Sequence, residues 1–379
     1  MSSESHAPAP AHGQQQNRFA AAYRVLEEAI AARAFPGCAF GVLAQGETVL
    51  LDGLGHFTYD DAAPAVAAHT IYDLASLTKV VATTAVAMLL CQDRGLDLET
   101  PLGELLPAFI LGRDPVQHAR RVTLRHLLAH SSGLPGYVEL FRTASTPAAL
   151  VRACLELPLE AEPGTRAQYS DPGFILLGKA IEVFTHQRFA VLVRRQILHP
   201  LAMRATGFHP PPSVRAFIPP TEDDTTFRHR RIQGEVQDEN AYVLKGVAGH
   251  AGLFSNVSDL LRFAQAILQA GTPPGAAGQQ DAPAPIFAPQ TVNQFARRQE
   301  PEGSSRALGW DTPSEDSSAG RHFSPRSIGH LGYSGCSLWI DLDAKVAVAL
   351  LTNRTWPDRQ NQLIRQVRPA FHNALRQSL

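Results

Sequence analysis

Two side chains suited to nucleophilic catalysis lie close together in the segment DLASLTKVVA, residues 73–82. Ser76 precedes Lys79 by three positions at the start of an apolar run that predicts a helix, and side chains three apart on a helix share a face. A serine hydroxyl is a weak nucleophile until a neighbouring group takes its proton, and a lysine kept neutral by desolvation can be that group. Ser76 is therefore a candidate nucleophile and Lys79 its candidate base. The alternative is that Ser76 only caps the helix and Lys79 is solvated.

A tyrosine in a predicted turn supplies a second group that could carry a proton. Tyr169 lies in PGTRAQYSDPGF, residues 163–174, between two Pro-Gly pairs and just before a predicted helix. A lysine base needs a partner that protonates the leaving group, and a tyrosine beside it is suited to that task. The alternative is that Asp171 caps the helix and Tyr169 packs next to it.

A glycine-rich segment near the C-terminus could bind the far end of a substrate. In SIGHLGYSGCSLWIDL, residues 327–342, His330, Leu331 and Gly332 lead into a predicted strand that begins at about 337. Glycines allow a ligand to approach the backbone closely, and backbone N–H groups on a sheet edge can stabilise an oxyanion. The alternative is an ordinary glycine-rich approach to a strand.

The elements that must position these residues follow from the hydrophobic pattern. Apolar alternation around Gly46 predicts a hairpin over 37–55, and a second hairpin over 336–353 is followed by an amphipathic helix over 358–377. Helical periods cover 18–34 and dominate 77–270. The pattern predicts an α+β fold, with an antiparallel sheet built from both termini, flanking helices and an inserted, mostly helical domain.

The same pattern predicts how the chain divides. We expect a disordered tail over 1–17, because this stretch of Ala, Pro, Ser and Gln cannot bury enough apolar surface to offset chain entropy. A sheet domain is expected from 18–76 together with 240–379, and a mostly helical domain from 77–239. Together they would form a single catalytic unit.

The composition of the chain limits the classes of molecule that it is expected to bind. The net charge of -1, from 34 basic and 35 acidic residues, creates no field that would attract nucleic acid or an anionic membrane, so we expect a small-molecule or peptide partner. No stretch is long and apolar enough to span a bilayer, and the first residues lack a signal-peptide pattern. As written, the chain is expected in the cytoplasm, whereas removal of a signal peptide would make it periplasmic or secreted. The pattern leaves the oligomeric state open.

Metal and alternative nucleophile patterns are weak. The four cysteines, Cys38, Cys91, Cys154 and Cys336, have no C-x-x-C spacing, so neither a zinc site nor a disulfide framework is indicated, and no cofactor is expected. His126 and His130 are four apart and could share a metal with a distant residue such as His250. AHSSG, residues 129–133, is similar to a nucleophile elbow, although a helical pattern precedes it where the elbow needs a strand.

Taken in order, the stretches SLTK, YSD and HLG resemble the three-part signature of the class C beta-lactamase and penicillin-binding-protein superfamily of serine hydrolases. LLAHSSGLP and DENAYVLKGVAGHAGLFS add to the likeness, which covers about residues 20–375. The resemblance implies the family's fold, with the active site between the sheet and the helical domain. It also implies that Ser76 is acylated, Lys79 is its base partner, Tyr169 relays a proton to the leaving group, and the Ser76 and Tyr333 N–H groups form the oxyanion hole.

Three positions depart from the stricter beta-lactamase pattern. Asp171 replaces asparagine, His330 replaces lysine and Leu331 replaces threonine. Lysine and threonine there would bind a substrate carboxylate, whereas histidine is mostly neutral near pH 7 and leucine has no hydroxyl, so inefficient penicillin hydrolysis is expected. Asp171 could repel an anionic substrate or hold Lys79 protonated. Two hypotheses follow: a hydrolase of an ester or amide (a small ester, a D-amino-acid peptide or a beta-lactam), or a binding or scaffold protein that has lost turnover.

Overall fold

A computed structural model describes residues 12–112, 118–270 and 286–379 of the chain. The α-helices are α1 (His12–Arg18), α2 (Ala20–Ala31), α3 (Ala85–Asp93), α4 (Leu102–Leu105), α5 (Leu124–Leu128), α6 (Pro147–Glu156), α7 (Asp171–Thr185), α8 (Phe189–Val193), α9 (Pro212–Arg215), α10 (Glu239–Val243), α11 (Val257–Leu268), α12 (Pro289–Ala296) and α13 (Ile364–Gln377). The strands are β1 (Gly37–Ala44), β2 (Glu47–Gly55), β3 (Tyr72–Asp73), β4 (Gly207–Phe208), β5 (Glu222–Asp224), β6 (Arg230–Ile232), β7 (Leu253–Ser255), β8 (Ile328–Leu331), β9 (Ser337–Asp341) and β10 (Val346–Thr352). Lys79–Thr84 and Arg194–Leu198 are π-helical, and Pro107–Phe109, His118–Arg121 and Leu140–Arg142 are short 3₁₀ turns.

The central sheet is built from both ends of the chain, which confirms the predicted fold class. Its five strands are antiparallel in the order β2-β1-β10-β9-β8. In β1, Phe40 faces Asp52 of β2 on one side and Leu350 of β10 on the other. The two predicted hairpins therefore meet through β1 and β10, and β8 forms one edge of the sheet.

Both faces of this sheet are covered, which explains its nearly continuous apolar strands. Phe40 and Val42 belong to one core cluster with residues of α2 and α13, whereas Leu43 belongs to the larger cluster on the other face. Gly41 permits close packing there, because a Cβ at this position would lie 2.7 Å from a methyl of Val257 in α11.

A small three-stranded sheet links the central sheet to the helical region. Strand β3 pairs with β7, and β7 pairs with β4. The chain leaves β3 at Asp73 and passes through a turn that carries Ser76 into the helical segment that contains Lys79. The helix predicted for the apolar run that contains Lys79 is present, but residues Lys79–Thr84 are π-helical and only Ala85–Asp93 are α-helical.

Of the predicted disordered tail, residues 1–11 lie outside the described part of the chain, and residues 12–17 belong to a helix. Helix α1 covers His12–Arg18, and it is anchored because the Gln15 side chain accepts a hydrogen bond from the N–H of Leu51 at 3.2 Å. The domain boundaries at 77 and 239 stay a prediction. Within the three described ranges, none of the helices has the length and apolar character needed to cross a bilayer.

Candidate active site

Ser76 lies half-buried at the end of a short segment that is fixed by a buried carboxylate. The two carboxylate oxygens of Asp73 accept the N–H groups of Ala75 at 2.9 Å and of Gln237 at 2.8 Å. Ala75 has a φ of 46°, a left-handed conformation that is unusual for a residue other than glycine. Burial raises the pKa of Asp73 to about 6. This carboxylate therefore holds the strained backbone immediately before the candidate nucleophile.

The Lys79 side chain is completely buried beside Ser76. Its Nζ lies 2.9 Å from Ser76 Oγ, 2.6 Å from Asp171 Oδ1 and 3.3 Å from the carbonyl oxygen of His250. A lysine ammonium has three N–H donors, and these three acceptors match them. Burial by itself lowers the pKa of Lys79, but the charge and hydrogen bonds of Asp171 and Tyr169 raise it above the ordinary value. Lys79 is therefore held as an ammonium.

Tyr169 lies on the loop before α7, and its ring is 4.7 Å from Lys79 Nζ. Burial raises the pKa of its phenol, and this effect is only partly offset by the charge of Lys79 and by hydrogen bonds with Lys79 and Ser76. Tyr169 is therefore a neutral phenol. The residue that caps α7 is Ser170, whose Oγ accepts the N–H of Gly173 at 3.1 Å. The alternative in which Asp171 provides the cap is wrong, since Asp171 instead forms the ion pair with Lys79.

The third predicted segment forms the edge strand β8 and the turn after it. Ser334 Oγ donates to the carbonyl of Asp73 at 2.8 Å, which ties this turn to the Ser76 segment. Gly332 allows the two backbones to meet, because a Cβ there would lie 2.4 Å from the carbonyl oxygen of Leu74. Across the described ranges, the N–H groups of Ser76 and Tyr333 have no hydrogen-bond acceptor. Two free donors are what an oxyanion site requires.

His330 is buried and neutral. Its Nδ1 lies 2.8 Å from the carbonyl oxygen of Leu331, so the ring proton is on Nδ1 and Nε2 is a bare acceptor. Burial, followed by the charges of Lys79 and Arg306, lowers the pKa of His330 well below its ordinary value. His330 thus provides no cation at the position where the stricter pattern has lysine.

These segments surround a cavity of about 670 Å³. Its walls include all the predicted site residues except the buried Lys79, namely Ser76, Tyr169, Asp171, His330, Leu331, Gly332 and Tyr333. The cavity is large enough for a small substrate with an acyl group and a leaving group. The structure therefore brings the three predicted segments, around Ser76, Tyr169 and His330, to one cavity.

The positions of the histidines and of Ser131 do not support the two alternatives, a metal site and a nucleophile elbow. Within the described ranges, no group of three or more His, Cys, Asp and Glu side chains could hold a metal ion. His126 bonds to Thr123 in a capping box, and His250 Nε2 lies 2.9 Å from Asp238 Oδ1. Ser131 follows helix α5, whereas a nucleophile elbow requires a strand there.

Several residues of the site were not singled out as such from the sequence. Asp73 lies within a quoted stretch, and His130 is considered above only as a possible metal ligand. Tertiary contacts reveal which backbone groups these two side chains hold. Arg306 lines the cavity with its guanidinium 5.3 Å from the Tyr169 ring centre, and 3.8 Å from Asp311 Oδ2. No motif surrounds Arg306, so the sequence carries no signal for it.

The chain belongs to the beta-lactamase family of serine hydrolases, since the family's sequence profile, described as Beta-lactamase, matches residues 23–370. A Salmonella typhimurium protein named "Putative D-alanyl-D-alanine carboxypeptidase" is 30% identical over 315 residues, which cover 76% of this chain and 70% of that protein. A protein of the same name from Salmonella newport matches with the same identity and coverage.

Solved structures share the fold. EstCE1, described as a hydrolase with promiscuous acyltransferase activity, has a TM-score of 0.72 at 19% identity, over 95% of this chain and 99% of that one. An octameric penicillin-binding protein homologue from Pyrococcus abyssi has a TM-score of 0.67 at 21% identity, over 88% and 72%. Unliganded simvastatin synthase from Aspergillus terreus has a TM-score of 0.69 at 20% identity, over 95% and 98%. The predicted fold and family are confirmed.

Proposed function

We propose that this protein is a serine hydrolase that forms an acyl-enzyme at Ser76 and hydrolyses an ester or amide. The observation that carries the proposal is the 2.9 Å contact between Lys79 Nζ and Ser76 Oγ, inside a buried cluster that opens onto the cavity. The names of the relatives, a D-alanyl-D-alanine carboxypeptidase and a hydrolase with acyltransferase activity, support an enzyme that transfers acyl groups.

In the acylation step, Ser76 Oγ bonds to the carbonyl carbon of the substrate while its proton passes to the Tyr169 oxygen. Tyr169 gives its own proton to the leaving oxygen or nitrogen as the bond to that atom breaks. The phenol is neutral before and after the step. Because Lys79 is held as an ammonium, its role is to donate to Ser76 and stabilise the charge that develops on the two oxygens. This differs from the base role that the sequence resemblance implies for Lys79.

The oxyanion of the tetrahedral intermediate would be bound by the free N–H groups of Ser76 and Tyr333. For deacylation, a water molecule takes the place of the departed group: Tyr169 accepts its proton and returns one to Ser76 Oγ as the acyl–oxygen bond breaks. The acid product then leaves and the starting state is restored.

Substrate choice follows from the third segment. A neutral His330 and an apolar Leu331 give neither a charge nor a hydroxyl to a carboxylate next to the scissile bond. We therefore expect a short neutral ester such as 4-nitrophenyl butyrate to be hydrolysed faster than nitrocefin, with a D-Ala-D-Ala peptide as the third substrate of the panel. The reverse order of the first two would contradict this account of His330 and Leu331.

The test of the acyl-enzyme is labelling with a fluorophosphonate, followed by peptide mapping. The wild type should be labelled on Ser76, Ser76→Ala should not react, and Lys79→Ala should react far more slowly. The buried Ser132 gives a matched control, since Ser132→Ala should label like the wild type. An unlabelled wild type, or a labelled Ser76→Ala, would reject the proposal in favour of a binding protein without turnover.

A further inference from the structure

We propose that His130 is a positioning residue that holds Tyr169 in place for proton transfer to the leaving group. This inference rests on the proposed function. His130 follows helix α5 and has a φ of 55°, so its backbone is in the left-handed region. The side chain is buried, and the acylation step described above does not use it.

His130 bonds to the backbone on both sides of Tyr169. Its carbonyl oxygen accepts the N–H of Gln168 at 2.7 Å, and its ring Nδ1 accepts the N–H of Ser170 at 3.0 Å. One residue further on, the N–H of Asp171 donates to the carbonyl of Gly136 at 2.9 Å. The loop that carries Tyr169 is thus held against segment 130–136 by these three hydrogen bonds, two of which are accepted by His130.

The ring of His130 also packs against the ring that it positions. It lies between Tyr169, at 4.6 Å and 35°, and Phe174 of α7, at 4.9 Å and 30°. Burial, with smaller contributions from Arg306 and Lys79, lowers the pKa of His130 well below its ordinary value. The imidazole is therefore neutral, and Nδ1 keeps the lone pair that accepts the Ser170 N–H.

Replacements can separate the ring from the acceptor. His130→Phe keeps a flat ring between Tyr169 and Phe174 but cannot accept the Ser170 N–H. His130→Asn retains an amide oxygen as acceptor and tolerates a left-handed backbone, but it loses the ring packing. Both changes should loosen Tyr169. The effect of His130→Phe should be the larger one, because it leaves the buried N–H of Ser170 without an acceptor.

The experiment measures how hydrolysis depends on the leaving group. The substrates are 4-nitrophenyl butyrate, whose phenolate departs without a proton, and ethyl butyrate, whose alkoxide needs one. Tyr169 also takes the Ser76 proton with both esters and acts in their common deacylation, so the rates are compared as kcat/KM, which reports acylation. His130→Phe should slow ethyl butyrate by about 10²-fold and 4-nitrophenyl butyrate by about tenfold or less. His130→Asn should show the same pattern with a smaller loss. His372→Phe is the matched control, because His372 is also buried and packed on aromatic rings but lies in α13.

A double-mutant cycle with Tyr169→Phe completes the test. Without the phenol hydroxyl, replacing His130 should no longer change the ratio of the two rates. Equal losses on both esters, or the full effect of His130 replacement in the Tyr169→Phe background, would overturn the inference. If His130→Phe does not fold, His130→Asn decides by the same two criteria. Fluorophosphonate labelling of wild-type Ser76 reports the acyl-enzyme separately, so failure of the proposed function would be recognised first.

Discussion

Asp171→Asn is the substitution that most directly tests the charge state of the site. In the wild type, Asp171 Oδ1 is 2.6 Å from Lys79 Nζ, and the two side chains are 14% and 0% exposed. Asparagine keeps the size and one oxygen but removes the negative charge. The Lys79 ammonium would then remain buried with neutral acceptors only, namely the new amide oxygen, Ser76 Oγ and the His250 carbonyl.

The burial of this ion pair determines how much Asp171→Asn lowers the free energy of unfolding and how that loss depends on pH. Removing one partner of a buried ion pair costs about 3–5 kcal/mol when the other charge stays in place. In the wild type the pKa of Lys79 is raised, so its charge stabilises the folded state. This contribution to the free energy of unfolding is fully present below the ordinary lysine pKa and is lost only as pH rises through the raised pKa of the folded state. In Asp171→Asn, burial lowers the pKa of Lys79 and is opposed only by the smaller effect of Tyr169. The unfolded chain then binds more protons, so the variant becomes more stable as pH rises towards the ordinary lysine value.

Urea denaturation of both proteins at about pH 6 and about pH 9 measures this. We expect Asp171→Asn to lose about 3–5 kcal/mol at the lower pH and clearly less at the higher one. Hydrolysis of 4-nitrophenyl butyrate by the variant should decrease over the same interval, because the ammonium that assists Ser76 and Tyr169 is lost. If Lys79 acted as the neutral base, the rate would instead increase with pH.

Asp343→Asn provides the control, since Asp343 pairs with Arg326 at 3.0 Å on the surface and such pairs contribute about 0–1 kcal/mol. The double variant Lys79→Met with Asp171→Asn should recover stability relative to Asp171→Asn, because no unpaired charge is left buried. The reasoning is refuted if Asp171→Asn is as stable as the wild type at both pH values, or if its deficit is independent of pH.

Three further substitutions probe the surroundings of the site. Fluorophosphonate labelling of the wild type should slow as pH falls through about 6, where Asp73 is protonated and loses an acceptor, and Asp73→Asn should not show this decrease at low pH. Unfolding would not explain the decrease: because burial raises the pKa of Asp73, its protonation makes the folded state more stable relative to the unfolded chain in this pH range. Gly332→Ala should label at least about tenfold more slowly, since its Cβ would collide with the Leu74 carbonyl, whereas Gly207→Ala, which has open space, should label normally. Arg359→Gln should lower the free energy of unfolding by about 2 kcal/mol in urea denaturation, because it leaves two carboxylates unpaired while the guanidinium is already one-third exposed.

The sequence predicts those parts of the fold that depend on local pattern. Apolar alternation identifies the hairpins that become β1–β2 and β9–β10, and Gly46 marks the turn between the first two strands. Spacing i, i+3 predicts that Ser76 and Lys79 meet, and their side-chain atoms are 2.9 Å apart. The hairpins and the Ser76–Lys79 contact can be predicted because residues close together in sequence determine them.

The parts that escape prediction depend on residues far apart in sequence. The ion pair between Lys79 and Asp171 joins positions 92 apart, and the bond from Gln237 to Asp73 joins positions 164 apart. The left-handed backbone of Ala75 follows from such contacts and not from its own preference. The role of His130 was missed for the same reason, because a histidine in a helical pattern gives no sign of the loop that it binds.

The two departures at 171 and 330 act together on the charge of the site. Aspartate in place of asparagine at 171 adds one negative charge, and neutral histidine in place of lysine at 330 removes one positive charge, so these two positions together are two units more negative than in the stricter pattern. The Lys79 charge is already matched by Asp171 at 2.6 Å, so little of it remains to attract a substrate anion. Arg306 is a second cation at the Tyr169 ring, with its guanidinium 5.3 Å from the ring centre, and Asp311 Oδ2 lies 3.8 Å from it. Lys79 and Arg306, the cations beside Tyr169, are thus each paired with an aspartate, which favours acyl donors that are neutral next to the scissile bond.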